Sequence, residues 1–291
     1  MPERPSREGF GTSLTELFPG GAPVGEVTAP RRLLRHLADL GQRFDSHSEA
    51  IHIGWSEHGL SAYASNAGNY LACLIHVPEH RCGVPTSGRV GTVAVEGEDL
   101  GTLASMARRR TTDQEGVSTR LEFGDEALSV RTTDSQYGGT MPAVARTDGQ
   151  RADFARIAGE ASERAIVSVY DLGYQRTQAE QAAEAVTRAV LVTDGRGARL
   201  GIWDSDDEQL VETDIDGSAS EPALAAYQHE PIGELLDLVP TGKRARQYWY
   251  WDDSHPLLAW GFDEHIQVVA TVAPLLELPD GTLEGLAGGE A

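Results

Sequence analysis

The sequence predicts an α+β fold made by internal duplication, and three observations point to it. A strand–turn–strand pattern occurs twice, as AIHIGWSEHGLSAYASN from Ala50 and as VLVTDGRGARLGIWDSDD from Val190. A helical pattern precedes each copy and another follows it. A strand pair then closes each half, so both halves read helix, strands, helix, strands.

In chain order, residues 1–23 are rich in Gly and Pro and read as a flexible leader. A first domain is expected over residues 24–133. Its first helix is PRRLLRHLADLGQRF from Pro30, where Leu33, Leu34, Leu37, Leu40 and Phe44 recur on one face. Thr28 is the expected cap, and Pro30 suits a first turn. In the hairpin from Ala50, apolar and polar residues alternate as in a half-buried strand. NYLACLIHV from Asn69 continues it as a further strand. The second helix is EDLGTLASMARRR from Glu98, with Leu100, Leu103 and Met106 inward. The strand pair is STRLEFGDEALSVRTTD from Ser118.

Residues 134–162 read as a connector crossing a surface, because Gly138, Gly139 and Pro142 interrupt any pattern; RADFARIAG within it suits a short helical turn. A second domain is expected over residues 163–278. Its first helix is the Ala-rich QRTQAEQAAEAVTRA from Gln175. The hairpin from Val190 and the strand EQLVETDID from Glu208 follow. Then comes the helix HEPIGELLDLVP from His229, with Ile232, Leu235, Leu236 and Val239 inward. RQYWYWDDSHPLLAWGF and HIQVVATVAPLLEL end the domain at Leu278. Residues 279–291 form a Gly- and acid-rich tail.

A chain of 291 residues suits one large domain or two ordinary ones, and 40% hydrophobic residues suffice for a core. No run of about 18 apolar residues exists to span a membrane. The first residues lack the apolar segment of a secretory signal, and two cysteines make no disulfide framework. The cytosol is the expected compartment. Charge is the unusual feature. There are 24 Lys+Arg against 45 Asp+Glu, a net of -21, and Lys243 is the only lysine. Such a surface repels itself at low salt. At about 1 M salt the screening length is roughly 3 Å, and the repulsion fades. The composition points to a salt-loving microbe.

Cys73, His76, His80 and Cys82 are zinc-ligand types, but their spacing is not that of a zinc finger. Strand alternation points Cys73 away from His76. A buried thiol and surface histidines are the expectation, and no metal. DGRGARLG from Asp194 leads into a strand rather than a helix, so it is a hairpin turn and no dinucleotide loop. Asp204, Asp206, Asp207 and Glu208 read as a solvated acidic loop. Tyr248–Trp251 (YWYW) suits packing within a strand better than stacking on bases. No nucleophile-elbow, zinc-protease or phosphate-loop motif is present. No catalytic residue and no cofactor are expected, so the chain reads as non-enzymatic.

The order and spacing of these elements resemble the archaeal and eukaryotic DNA sliding clamp, the proliferating cell nuclear antigen family, from Val24 to Leu278. Three patches carry the resemblance: GTVAVEGEDLGTLASMA from Gly91, the Pro256 strand with VVATVAPLLEL, and the hairpin at Gly59-Leu60-Ser61. The resemblance implies duplicated clamp-fold domains, each with two helices on antiparallel sheets. Three chains would close a ring with the helices lining its hole. Its function would be that of a polymerase processivity factor on double-stranded DNA. Polymerase, clamp loader, nuclease or ligase would attach through short peptides.

On this resemblance the DNA-facing cations are Arg31, Arg32, Arg35 and Arg43 on the first helix and Arg108, Arg109 and Arg110 ending the second. Arg176 and Arg188 flank the third helix, and Lys243 follows the fourth. The peptide pocket is expected at Leu60, Met141, Ala273, Pro274 and Leu275. SLTELF in the leader loosely matches a clamp-binding peptide through Leu14, Leu17 and Phe18, but lacks the usual glutamine and reads as a chance match. The second-half helices carry few cations, which favours the alternative of a clamp-fold adaptor that does not encircle DNA. A further alternative is an enzyme of an unrelated α+β fold, which a bound metal at Cys73, His76, His80 and Cys82 would favour.

Overall fold

A computed structural model of the chain describes residues 14–44, 50–66, 71–83, 88–109, 118–124, 126–133, 138–145, 156–157, 163–167, 186–194, 197–204, 209–215, 222–240, 246–251, 255–262 and 265–275. Two units emerge: residues 1–153 with 264–268, and residues 154–263 with 269–291. The first unit runs α1 (Leu14–Leu17), β1 (Gly25–Pro30), α2 (Leu33–Arg43), β2 (Ile51–Ser56), β3 (Gly59–Ser65), β4 (Leu71–Pro78), β5 (Gly91–Val95), α3 (Gly97–Arg109), β6 (Ser118–Phe123), β7 (Ala127–Thr132) and β8 (Gly138–Pro142). Its strands bond in the orders β5-β2-β3-β4 and β1-β6-β7-β8.

The second unit runs β9 (Glu163–Val167), β10 (Val186–Asp194), β11 (Ala198–Asp204), β12 (Gln209–Ile215), β13 (Pro222–Gln228), α4 (His229–Leu238), β14 (Arg246–Trp251), β15 (Leu257–Phe262) and, from Val269 on, β16 (Gln267–Val272). Its orders are β13-β10-β11-β12 and β9-β14-β15-β16. Place for place, these are the orders of the first unit. The duplication seen in the sequence is therefore a duplication of topology, and the fold is α+β with antiparallel sheets.

Helix α2 forms where its leucines make one stripe, and Leu33, Leu34, Leu37 and Leu40 are buried with Phe44 just beyond. Its start differs from the expectation. Thr28 and Pro30 do not cap it, because both lie in β1, opposite Arg120 and Ser118 of β6. Ladder pairing outweighs the local capping preference. The first turn instead closes tightly, with Leu34 N–H donating to Arg31 O and Arg35 N–H to Arg32 O, both at 3.0 Å.

The β2–β3 hairpin turns on Glu57 and His58, and Gly59 follows at φ 122°, a conformation L side chains rarely adopt. β6 alternates as a half-buried strand should, with Thr119, Leu121 and Phe123 inward and Arg120 and Glu122 outward. β2 does not, because all six of its residues are buried. Its second face is covered by part of the segment read as a flexible leader. Within residues 14–23, Leu17, Phe18 and Pro23 are instead buried, and Leu17 and Phe18 are each only 3% exposed.

In the second unit the helix expected from Gln175 meets a correction. Val186–Ala189, its last four residues, belong to β10; Val186 pairs with β11, and Arg188 and Ala189 pair with both β11 and β13. Residues 175–185 lie outside the described residues. Two-sided ladder pairing and the β-branched Val186, Thr187, Val190 and Val192 outweigh the Ala-rich local pattern. The YWYW run packs as expected: Tyr248, Trp249, Tyr250 and Trp251 are all buried. Trp249 Nε1–H donates to Gln247 Oε1 at 2.9 Å, and Gln247 Nε2 to Pro240 O at 3.0 Å. Among the described residues no helix is long and apolar enough to cross a membrane.

Candidate nucleic-acid interface

The candidate interface of the first unit is the outer surface of α2 and α3. Two glycines bring these helices to backbone contact. A Cβ on Gly41 would lie 2.5 Å from Gly101 Cα and 2.6 Å from Gly97 O, closer than any side chain tolerates. Beside this crossing, Gln42 Nε2 donates to Ser105 Oγ at 3.0 Å. A shallow cavity of about 270 Å³ opens there, lined by Gln42, Glu98, Thr102, Ser105 and Met106 around the two glycines. The sequence carried a signal for this crossing that went unused: an isolated glycine inside a helical pattern marks a packing requirement.

Arg35 and Arg43 are exposed on α2; of the other two arginines expected on this helix, Arg32 is its exposed N-cap and Arg31 is half-buried just before it. Arg35 Nε lies 3.5 Å from Asp39 Oδ2, one turn on, which offsets part of its charge. In α3 the acidic Glu98 and Asp99 occupy the first turn, where the helix dipole favours them. Arg108 and Arg109 fall in its last turn by backbone position. Arg110, Arg176 and Lys243 lie outside the described residues. Arg188 is a β10 residue opposite Trp203 and Gln228.

The second unit contrasts with the first. Its helix α4 exposes Glu230 and Asp237, with Glu234 half-buried, and has no basic residue in its last turn. Among the described residues α4 carries no Lys or Arg, and the second unit's exposed helical cation is Arg156, in the short helical piece at residues 156–157.

The residues expected to form a peptide pocket divide between the units. Leu60 is 2% exposed and pairs opposite Trp55 in the first unit. Met141, 1% exposed, lies on β8 opposite Leu128. Both fill the first unit's core, so neither side chain is displayed for a peptide. Ala273, Pro274 and Leu275 are half-buried in the second unit. Leu275 N–H donates to Ala226 O at 2.8 Å, and its side chain packs on Val190, Val192 and Ala226.

The Cys/His group does not converge. Cys73 is buried on β4, where burial drives its thiol pKa far above the ordinary range. His76 lies on the other face and shares a 3.0 Å hydrogen bond with Ser61 Oγ. Burial first, and the nearby His58 second, lower its pKa to about 4. Cys82 Sγ donates to Val77 O at 3.6 Å, and burial raises its pKa to about 11. His80 is exposed in the 3-10 turn Glu79–Arg81. Among the described residues no group of three metal-ligand side chains comes together.

Solved structures share this architecture. A. fulgidus PCNA, solved with the C-terminal region of FEN-1 bound, superposes with a TM-score of 0.69 at 12% identity, over 88% of this chain and 100% of that one. In the PCNA2–PCNA3 complex of Sulfolobus tokodaii, the matched chain gives 0.68 at 12% identity, over 87% and 100%. PCNA from Entamoeba histolytica gives 0.63 at 10%, over 87% and 98%. No protein-family model matches the chain, and no curated protein sequence does. At such identities the likeness is one of fold. The chain has the duplicated DNA-clamp fold.

Proposed function

We propose that this chain is a sliding clamp. Three copies close into a ring around duplex DNA, and the ring tethers a polymerase, clamp loader, nuclease or ligase through short peptides. The observation that carries the reading is the duplicated clamp fold with arginines exposed on α2, in a chain of net charge -21. A ring holds DNA by topology, so weak attraction to phosphates is enough. The peptide complex of A. fulgidus PCNA supports the tethering role. Ala273, Pro274 and Leu275 are the half-exposed candidates for it. The reading is of a scaffold without catalytic residues, cofactor or resident metal.

The test is retention on nicked circular DNA, measured before and after linearisation. The proposal expects retained protein to slide off once the circle is cut. It also expects Arg32→Glu with Arg43→Glu to reduce retention at matched salt while leaving assembly intact. Equal retention by that variant would remove these arginines from the DNA-facing surface. A second reading, an adaptor that does not encircle DNA, is favoured by the acidic Glu230 and Asp237 on α4. It expects no difference between circular and cut DNA.

A further inference from the structure

The face of β2 that bears His52, Gly54 and Ser56 is covered by the chain's own residues 14–23. Leu14–Leu17 makes one helical turn, closed by Phe18 N–H donating to Leu14 O at 3.0 Å. Phe18 meets Tyr63 edge-on, with ring centroids 6.3 Å apart. The floor beneath is made of small residues. Gly54 pairs with Ser61 on one side and Thr92 on the other. A Cβ on Gly54 would lie 2.7 Å from Phe18 Cδ1 and would strike Leu17 O, so this glycine keeps the groove open.

Beyond Phe18 the segment bends at Gly20 and Gly21, with Gly21 at φ 88°, and is tied by its backbone. Thr92 Oγ1 donates to Pro19 O at 2.9 Å, Thr92 N–H to Gly21 O at 3.0 Å, and Arg89 Nε to Ala22 O at 2.9 Å. A Cβ on Gly20 or Gly21 would meet nothing within 4 Å, so the segment leaves the groove without side-chain anchorage there. Buried Leu17, Phe18 and Pro23 and a few backbone bonds hold a strip whose other residues are exposed or half-buried. That is how a short peptide docks: anchors in pockets, with main-chain bonds alongside.

We propose that this face is a docking groove for a short peptide of pattern Leu-x-x-Leu-Phe. The chain's own residues 14–23 fill it in cis, and such a peptide on another protein competes for it. The inference does not depend on ring closure or on DNA. A tethered segment presents itself at an effective concentration of about millimolar. An outside peptide therefore binds weakly until the tether is released.

The experiment is a fluorescence-anisotropy titration of a labelled peptide, GTSLTELFPGGAPV, with the full-length protein. Leu17→Ser with Phe18→Ser releases the segment. The expected result is affinity at least about tenfold higher for this variant than for the unaltered chain, and no binding of a peptide whose Phe is replaced by Ser. A folded variant that binds no more tightly overturns the proposal. Should the variant fail to fold, hydrogen exchange of the unaltered protein decides. Excess peptide is expected to speed exchange at residues 17–22, and unchanged exchange overturns the proposal. A concentration-dependent dimer lost in the variant would assign the groove to a second copy, and overturns it as well.

Discussion

Replacing Gly41 with Ala will destabilise the protein, against the usual direction for this change in a helix. Alanine ordinarily gains about 1 kcal/mol over glycine there. At Gly41 the new Cβ would lie 2.5 Å from Gly101 Cα, whereas ordinary contact begins at 3.4 Å, so α3 must retreat by close to 1 Å. The opposing atoms are backbone atoms of a helix, and no rotamer change can clear them. Over-packing of a tight site costs about 1–3 kcal/mol. A backbone obstacle places this site at the upper end of that range, and a gap of that size also forfeits part of every neighbouring contact. Set against the propensity gain, the net is about 2 kcal/mol of destabilisation. Urea unfolding followed by far-UV circular dichroism reads it, with Arg35→Ala as the control on the exposed side of the same helix. That control should stay within about 1 kcal/mol. If Gly41→Ala proves neutral or stabilising, the close crossing of α2 and α3 is refuted.

Three further outcomes are expected. The native pKa of His76 is lowered from 6.5 to about 4, so the unfolded chain binds a proton there that the native chain refuses. Stability is then fully present above the unfolded value and lost as pH falls through this window, by roughly 3 kcal/mol at most. Unfolding of the unaltered protein and of His76→Gln near neutrality and near about pH 4.5 checks it, and identical pH slopes would contradict it. Both thiols should resist a disulfide reagent in the native state and react fully on unfolding, Cys82 before Cys73, since both pKa values are raised. Rapid native labelling of Cys73 would contradict its burial. Leu60→Ala should cost about 2–5 kcal/mol as a core truncation. An unchanged melting temperature would return Leu60 to the surface.

Much of this architecture was legible because its signals are local. Leu33, Leu34, Leu37 and Leu40 mark α2 by spacing alone. The hairpins at Gly59 and at Gly197 combine alternation with turn chemistry. What escaped was set by distant partners. β1 hid behind Thr28 and Pro30, which read as capping residues until β6 pairs with them. β8 hid in Gly138-Gly139-Thr140-Met141-Pro142, whose glycines and proline suggest a loop. At the end of its sheet order, however, β8 has one free side, where a proline is tolerated. Val186–Ala189 looked helical because alanine and glutamine precede them, and strands on both sides decide otherwise.

The candidate site was legible in kind more than in place. The arginines in and just before α2 stand out in the sequence, and Arg32, Arg35 and Arg43 are exposed. The acids of α4 stand plainly in HEPIGELLDL, but their exposure follows from which face packs inward. Leu60 and Met141 look alike in sequence whether they line a pocket or fill a core, and burial separates the two. Leu17 and Phe18 are apolar residues in a Gly- and Pro-rich stretch. Only the small floor at Gly54, Ser61 and Thr92 explains where they go.

The central claim is a closed ring, and solution mass by light scattering tests it most directly. The measurement spans a salt series from about 0.1 to 3 M, because screening of so acidic a chain changes across that range. The account expects three times the 31.3 kDa chain mass, persisting at the high-salt end. A mass of one chain at every salt would contradict it and leave the adaptor reading in its place.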